Sequence, residues 1–355
     1  IGFYAYTVGP ANMLKLVANA AMERGHDAVV FEENKQGVVA ARKEEMLDSD
    51  IAAMGFSTVM TEEELLLADY LLEHHIPIVV IEDVPGSALR PKAREYATKI
   101  DLCVLAMPNG MKEYFDFGFV GLGYAGPPPH WGASYKSMME APSRRPGFSK
   151  RRGNIVWHLD PEDKVLYVPG TKSPELNNNL IRSAINSASK ILGEKFVLGF
   201  RAHPGEKAEK EEDRPRYEKA FIERNKMLEG LWLLEAGKVS NPELVRAADI
   251  TVFPGGGPTE SIVAAYARMN SIYYWDDEVA KVLRGMGVAS GKWFVAELGG
   301  AYKAVGPDGL YEGIRALLTS EGQAKLREAQ EQNFPHPDTW DTAPKIVDIL
   351  EKVGG

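Results

Sequence analysis

Residues 254–260 read Pro-Gly-Gly-Gly-Pro-Thr-Glu and follow the apolar run Ile-Thr-Val-Phe at 250–253. The pattern predicts a buried strand, a turn through Gly255, Gly256 and Gly257, and a helix opening near Pro258. Three glycines let the backbone approach a ligand and adopt positive φ. A helix that starts there aims unpaired N–H groups and the positive end of its dipole at the turn, which suits an anion. Thr259 adds a hydroxyl. Glu260 in the first turn would repel a phosphate, so it needs another task, and accepting hydrogen bonds from the two hydroxyls of a ribose is one. The plainer reading is a glycine turn with a helix-capping Glu.

Other strand ends carry comparable groups. Arg201 and His203 follow the strand at 196–200 and could grip a diphosphate or a sugar. Gly170, Thr171, Lys172 and Ser173 follow the strand at 165–168. They offer a relaxed backbone and donors to phosphate oxygens, or else form an ordinary strand-to-helix loop. Glu82 and Asp83 close the apolar run at 77–82. Adjacent carboxylates push one pKa up, as an acid–base pair needs, and the alternative is a cap for the next segment. Gly9 follows the first strand and fits close approach to a ligand. It does not begin a Gly-x-Gly-x-x-Gly run, which weighs against a nicotinamide dinucleotide. Neither a Walker A sequence nor a Gly-x-Ser-x-Gly elbow occurs. No His, Cys and Asp cluster has metal-ligand spacing, so neither a metal nor a cofactor is expected.

The elements that must position these groups alternate. Strands are expected at 1–6, 28–32, 51–56, 77–82 and 102–106, with helices at 11–24 and 63–74, the latter opened by a capping box from Thr61 to Glu64. Alternation resumes with strands at 165–168, 196–200, 231–235, 250–253, 272–275 and 293–295. Helices are expected at 179–192, 217–228, 242–247, 261–269, 308–318 and 321–332. Short apolar strands alternating with helices mean α/β architecture with doubly wound sheets. The expected organisation is an N-terminal domain over 1–128, a Pro- and Gly-rich linker over 129–153, and a second domain over 154–340. A C-terminal helix over 341–355 could pack back on the first domain.

The chain has 355 residues and a net charge of −9, which argues against nucleic acid as a partner. A basic run at 143–152 fits a solvated linker, or a surface that touches a lipid acceptor. No apolar run reaches membrane-span length, and no charged-then-apolar leader opens the sequence. Cys103, the only cysteine, lies in an apolar strand and is expected as a buried small hydrophobe. A cytoplasmic location is expected. A homodimer stays open.

With these pieces in place the chain resembles the GT-B group of nucleotide-sugar enzymes, and within it the non-hydrolysing UDP-N-acetylglucosamine 2-epimerases. The resemblance rests on Gly55-Phe-Ser-Thr58, the run at 76–82 ending in Glu82, and Leu89-Arg90. It continues through Gly123-Tyr-Ala-Gly126-Pro127, Gly170-Thr171-Lys172, His203-Pro204, and Gly256-Gly257-Pro-Thr-Glu260. The weakly specific helix ending Arg24-Gly25-His26 belongs with these. It implies two Rossmann-like domains facing across a cleft, the second binding the nucleotide sugar through Gly255 to Gly257, Thr259 and Glu260. Lys172, Arg201 and His203 would add donors and positive charge, and Arg90 would serve the acceptor side. Phe56 stands where the epimerases have a catalytic Asp, and Thr171 where they have a His. Glu82 is kept, and an insertion at 84–87 follows it. With two acid–base groups gone, the expectation is a metal-independent glycosyltransferase. It would move a sugar from a nucleotide-diphosphate donor, a UDP-sugar by resemblance, to an unknown acceptor, with Glu82 or Asp83 as base. An epimerase with other acid–base residues, a non-catalytic nucleotide-sugar binder, and polyol-phosphate transfer from a CDP-linked donor are the rivals.

Overall fold

Runs such as Gly2–Ala5, Ala52–Gly55 and Ile78–Ile81 are buried at every position, so their sheet has to be covered on both faces. A parallel sheet with helices on each side meets that demand. The computed structural model has this arrangement. It describes residues 1–5, 8–32, 43–56, 62–89, 91–108, 111–141, 148–208, 210–235, 239–255, 259–285 and 294–354. These form two compact units, chiefly Ile1–Ala133 with Pro337–Gly355, and Ser134–Arg284 with Ser290–His336.

The first unit holds β1 (Gly2–Ala5), β2 (Val29–Glu32), β3 (Ala52–Gly55), β4 (Ile78–Ile81), β5 (Leu102–Val104) and β6 (Leu122–Gly123), all parallel, in the order β2-β1-β3-β4-β5-β6. Side chains alternate between its faces with the period of a strand. Phe3, Ala5, Val79 and Ile81 face the helix Val8–Glu23. Tyr4, Ile78, Val80 and Cys103 enter a second cluster with Leu67 and Leu71 of the helix Glu62–Glu73. Cys103 is a buried free thiol, pushed up by burial. Thr61, expected to cap that helix, lies outside the described residues.

The helix Ala343–Gly354 repeats apolar residues at helical spacing. Ala343, Ile346, Val347 and Leu350 join the cluster that holds Met13, Leu14 and Val17. Arg24 and His26 tie it down at its rim. Arg24 donates to Asp348 at 2.6 Å and to the Pro344 carbonyl at 2.9 Å, and His26 meets Glu351 at 2.9 Å. The Arg-Gly-His ending is thus an anchor for the last helix.

The second unit holds β7 (Ser149–Arg152), β8 (Ile155–His158), β9 (Lys164–Pro169), β10 (Phe196–Arg201), β11 (Leu233–Glu235), β12 (Ile250–Pro254), β13 (Ser271–Trp275) and β14 (Tyr302–Val305). Their order is β14-β13-β12-β9-β10-β11-β7-β8, parallel except where β7 meets β11 and β8. From β9 the chain winds outward through β10 and β11, then returns to lay β12 on β9's other side. That reversal makes β9 and β12 the topological switch point, where such sheets bind ligands beyond the strand ends.

Three local expectations change. The stretch expected as a Pro- and Gly-rich linker over 129–153 carries regular structure: Pro129–Glu140 is a helix, and β7 opens a hairpin with β8 on the sheet edge. Proline at a helix's first position starts it rather than breaks it. The apolar run at 293–295 leads into the short helix Phe294–Glu297, and the outer strand is Tyr302–Val305; three apolar residues do not distinguish the two states. In the basic run, Lys150 pairs with Asp160 at 3.0 Å and Asp163 at 2.6 Å, and Arg152 lies over Trp232. Arg144 and Arg145 lie outside the described residues. Among the described residues no helix is long and apolar enough to cross a membrane.

Three outcomes test this packing. Leu350→Ala removes a fully buried side chain and should lower stability by about 2–5 kcal/mol in urea unfolding. Arg24→Ala, on the exposed rim, should cost far less. Burial of His130 lowers its ring pKa to about 4. The unfolded chain takes that proton first, so stability is whole above about pH 6.5. It should fall by roughly 3 kcal/mol as pH drops from there to about 4. His130→Phe should flatten that slope in unfolding measured against pH; an unchanged slope contradicts the assignment.

Candidate functional site

The carboxyl ends of β9 and β10 are joined before any ligand is considered. Their parallel pairing runs to Pro169 and Arg201, and the Gly170 N–H then donates to the Arg201 carbonyl at 2.8 Å. A Cβ at position 170 would stand 2.8 Å from that carbonyl oxygen and 2.9 Å from the His203 nitrogen. Gly170 is therefore required by backbone crowding, and it lets the loop carrying Thr171 and Lys172 lie against the loop carrying His203.

Each loop is held from behind. Buried Asn177 latches Thr171, accepting from its backbone N–H at 2.7 Å and donating to its carbonyl at 3.0 Å. Ser173 caps the helix Pro174–Leu192, whose first position is a proline. The expected start at 179 is too late, because the asparagines at 177–179 look like helix breakers. Asn177 and Asn178 are instead buried and hydrogen-bonded, Asn178 donating to the Ala220 carbonyl at 2.8 Å. Beneath the second loop, Arg224 donates to both Glu206 oxygens and to Asn178 Oδ1, and stacks on Phe200. Both partners of that ion pair are almost fully buried, so losing either one strands a charge.

This turn sets the chemistry of His203. The Gly205 N–H donates to His203 Nδ1 at 2.9 Å. Nδ1 is thus an acceptor, and the neutral ring carries its proton on Nε2. Burial, then the Lys172 cation, lowers the ring below its ordinary value; Glu260 and Glu206 oppose them. The Lys172 stem crosses Gly205: a Cβ there would lie 3.2 Å from Lys172 Cε. The loops thus present a cation and a neutral Nε2–H donor side by side.

Across the switch point, Thr259 and Glu260 occupy the first turn of the helix Thr259–Tyr266 and are half-buried. Glu260 acts electrostatically on both His203 and Tyr167. Tyr167 donates to Asn241 Oδ1 at 2.7 Å, and burial raises its phenol well above the usual range. Gly255 is buried with a packing reason of its own: a Cβ would fall 2.0 Å from Val279 Cγ1. Gly256 and Gly257 lie outside the described residues. Arg201 donates to the Val239 carbonyl, bracing β10 against the segment that leads into the helix Asn241–Ala247.

In the first unit, Glu82 and Asp83 are both buried at the end of β4. Glu82 accepts from Tyr114 Oη at 2.6 Å, Ala88 N at 3.0 Å, Ala106 N at 3.3 Å and Ser87 Oγ at 3.5 Å. Asp83 lies over Gly9: a Cβ there would stand 2.7 Å from its Oδ2. Gly9 accordingly meets a carboxylate of the same chain at the start of the helix Val8–Glu23, where a negative charge is favoured. Phe56 is a core side chain at the end of β3. Arg90 lies outside the described residues.

Sequence reasoning missed Asn177, close in the chain to the Thr171 it holds, and the Arg224–Glu206 pair and Tyr114, which act across many intervening residues. Only the Asn run at 177–179, polar residues on a buried helix face, was a usable signal.

No family model and no curated protein matches the chain. Solved structures do. The UDP-GlcNAc 2-epimerase of Neisseria meningitidis bound to UDP-GlcNAc is 12% identical, with a TM-score of 0.64 over 99% of this chain and 98% of that one. The S. aureus MnaA–UDP co-structure is 11% identical, with a TM-score of 0.63 over 99% and 95%. Acinetobacter baumannii MurG is 13% identical, with a TM-score of 0.55 over 99% and 98%. At these identities the likeness is one of fold, and the chain has the GT-B fold.

Proposed function

We propose that this chain is a nucleotide-sugar-dependent enzyme, a glycosyltransferase acting on a UDP-sugar without a metal. The observation that carries the reading is the pair of joined loops, which sets Lys172 beside the Nε2–H of His203 at the switch point of the second sheet. A diphosphate leaving a sugar gains negative charge. A fixed cation and a fixed neutral donor stabilise that charge without having to reorganise. The first-turn N–H groups of Thr259–Tyr266 add to them, and Glu260 takes the ribose hydroxyls. That UDP and UDP-GlcNAc occupy proteins of this fold supports the choice of nucleotide. In the first unit Asp83 is assigned as proton acceptor, and Arg90 serves the acceptor substrate by its motif.

Phe56 in the core and the enclosed Glu82 weigh against epimerisation by elimination, which needs acid–base groups at those places. The same two observations favour a second reading, a nucleotide-sugar-binding protein without turnover. It would bind UDP yet neither hydrolyse nor transfer. NMR of UDP-N-acetylglucosamine incubated with the protein alone sets the epimerase apart from both: change at C2 without an acceptor would make it an epimerase.

Three variants test the site. A charge-assisted hydrogen bond contributes about 1.5–3 kcal/mol, so Glu260→Gln should weaken UDP binding roughly ten- to a hundredfold in calorimetry. Unchanged affinity rejects the ribose assignment. His203→Gln places an amide N–H where Nε2–H stood and should keep UDP affinity within about fivefold, whereas His203→Asn should lose roughly tenfold or more. The opposite order would mean that Nδ1 faces the ligand.

A further inference from the structure

We propose that Glu82 is a positioning residue, a buried strut that sets the segment carrying Asp83 and takes no proton from substrate. The inference deepens the reading above, which gives Asp83 the proton, but its geometry stands apart from any activity.

An ionised carboxylate only accepts, and its two oxygens offer about four lone-pair sites. Among the described residues these donors reach Glu82: Tyr114 Oη, Ala88 N and Ser87 Oγ on Oε1, and Ala106 N on Oε2. A proton arriving at Oε1 would have to displace one of its three donors, and Oε2 is tied to a backbone N–H. The residue is 1% exposed, and its own N–H donates to the Val104 carbonyl at 3.0 Å.

The donors come from three separate segments. Ser87 and Ala88 belong to the turn after Asp83, Ala106 follows β5, and Tyr114 sits on the helix Met111–Asp116. Tyr114 extends the network, because its hydroxyl also accepts from the Gly86 N–H at 3.0 Å. Gly86 has φ +82°, a conformation that suits glycine and leaves the turn in need of an external hold. One carboxylate and one phenol therefore hold Gly86, Ser87 and Ala88, the far side of the turn that begins at Asp83. Asp83 is packed on its other side against Gly9. The strut sets where the second carboxylate of the pair can lie.

The test compares Glu82→Gln with Tyr114→Phe in the full chain. Glu82→Gln keeps the size but turns one acceptor into a donor facing donors. Tyr114→Phe removes one hydroxyl from the same network. As a strut, both should raise amide hydrogen exchange at 84–89 by roughly tenfold or more while exchange in β9 and β12 stays unchanged. Where transfer is measurable, both should lower kcat alike, leave KM for the UDP-sugar unchanged and leave the pH profile in place. The proposal is overturned if exchange at 84–89 does not move in Tyr114→Phe. It is equally overturned if Tyr114→Phe turns over normally while Glu82→Gln loses a limb of the pH profile. If the wild-type chain transfers no sugar, the reading of function fails and exchange alone decides the strut. If Glu82→Gln does not fold, Tyr114→Phe alone decides.

Discussion

The site depends on a backbone that has no room for a side chain. Gly170 sits against the Arg201 carbonyl and the His203 nitrogen, and any Cβ there would force the ends of β9 and β10 apart. Because it is glycine, the sheet pairing carries on past the last strand residues into the loops. Thr171, Lys172 and His203 then share one surface. The Asn177 latch and the Arg224–Glu206 pair keep each half of that surface from relaxing away. Precise placement is what electrostatic stabilisation of a leaving diphosphate requires, since its benefit comes from dipoles that need not turn.

Glycines beside strand ends prove to be records of crowding, and the crowding group differs at each. At Gly170 it is backbone, at Gly255 the Val279 side chain, and at Gly9 the Asp83 carboxylate. The first of these joins two loops that carry a cation and a ring N–H donor. The turn at 254–257 drew most weight in the sequence for its three glycines, but one of them is explained by core packing. Lys172 and His203, each following a strand with fewer special features, lie on the two loops that the backbone joins.

The α/β architecture was legible because each strand is an apolar run too short for a helix and too continuous for a one-sided sheet. The hairpin of β7 and β8 was not, because its strands break that rule. Lys150 is buried through its ion pairs, and Ile155, Val156 and Trp157 are exposed on the edge. β14 was hidden by its single buried residue, Ala304. The candidate site was half legible. Residues at strand ends declare themselves by position, as Thr171, Lys172, His203 and Asp83 do. Their supports do not, since Tyr114 reaches Glu82 and Arg224 reaches Glu206 through contacts that no local spacing encodes. The expected role of Glu82 rested on its pairing with Asp83 at a strand end and on its place in a motif, and neither reveals the donors that surround it.

The joined loops of the second sheet are proposed to hold a diphosphate. Calorimetric titration of the full chain with UDP and, separately, with uridine decides whether they do. UDP should bind at least roughly a hundredfold more tightly than uridine, as expected when several charge-assisted hydrogen bonds depend on the phosphates. Uridine binding as tightly as UDP, or UDP failing to bind at all, would contradict the account.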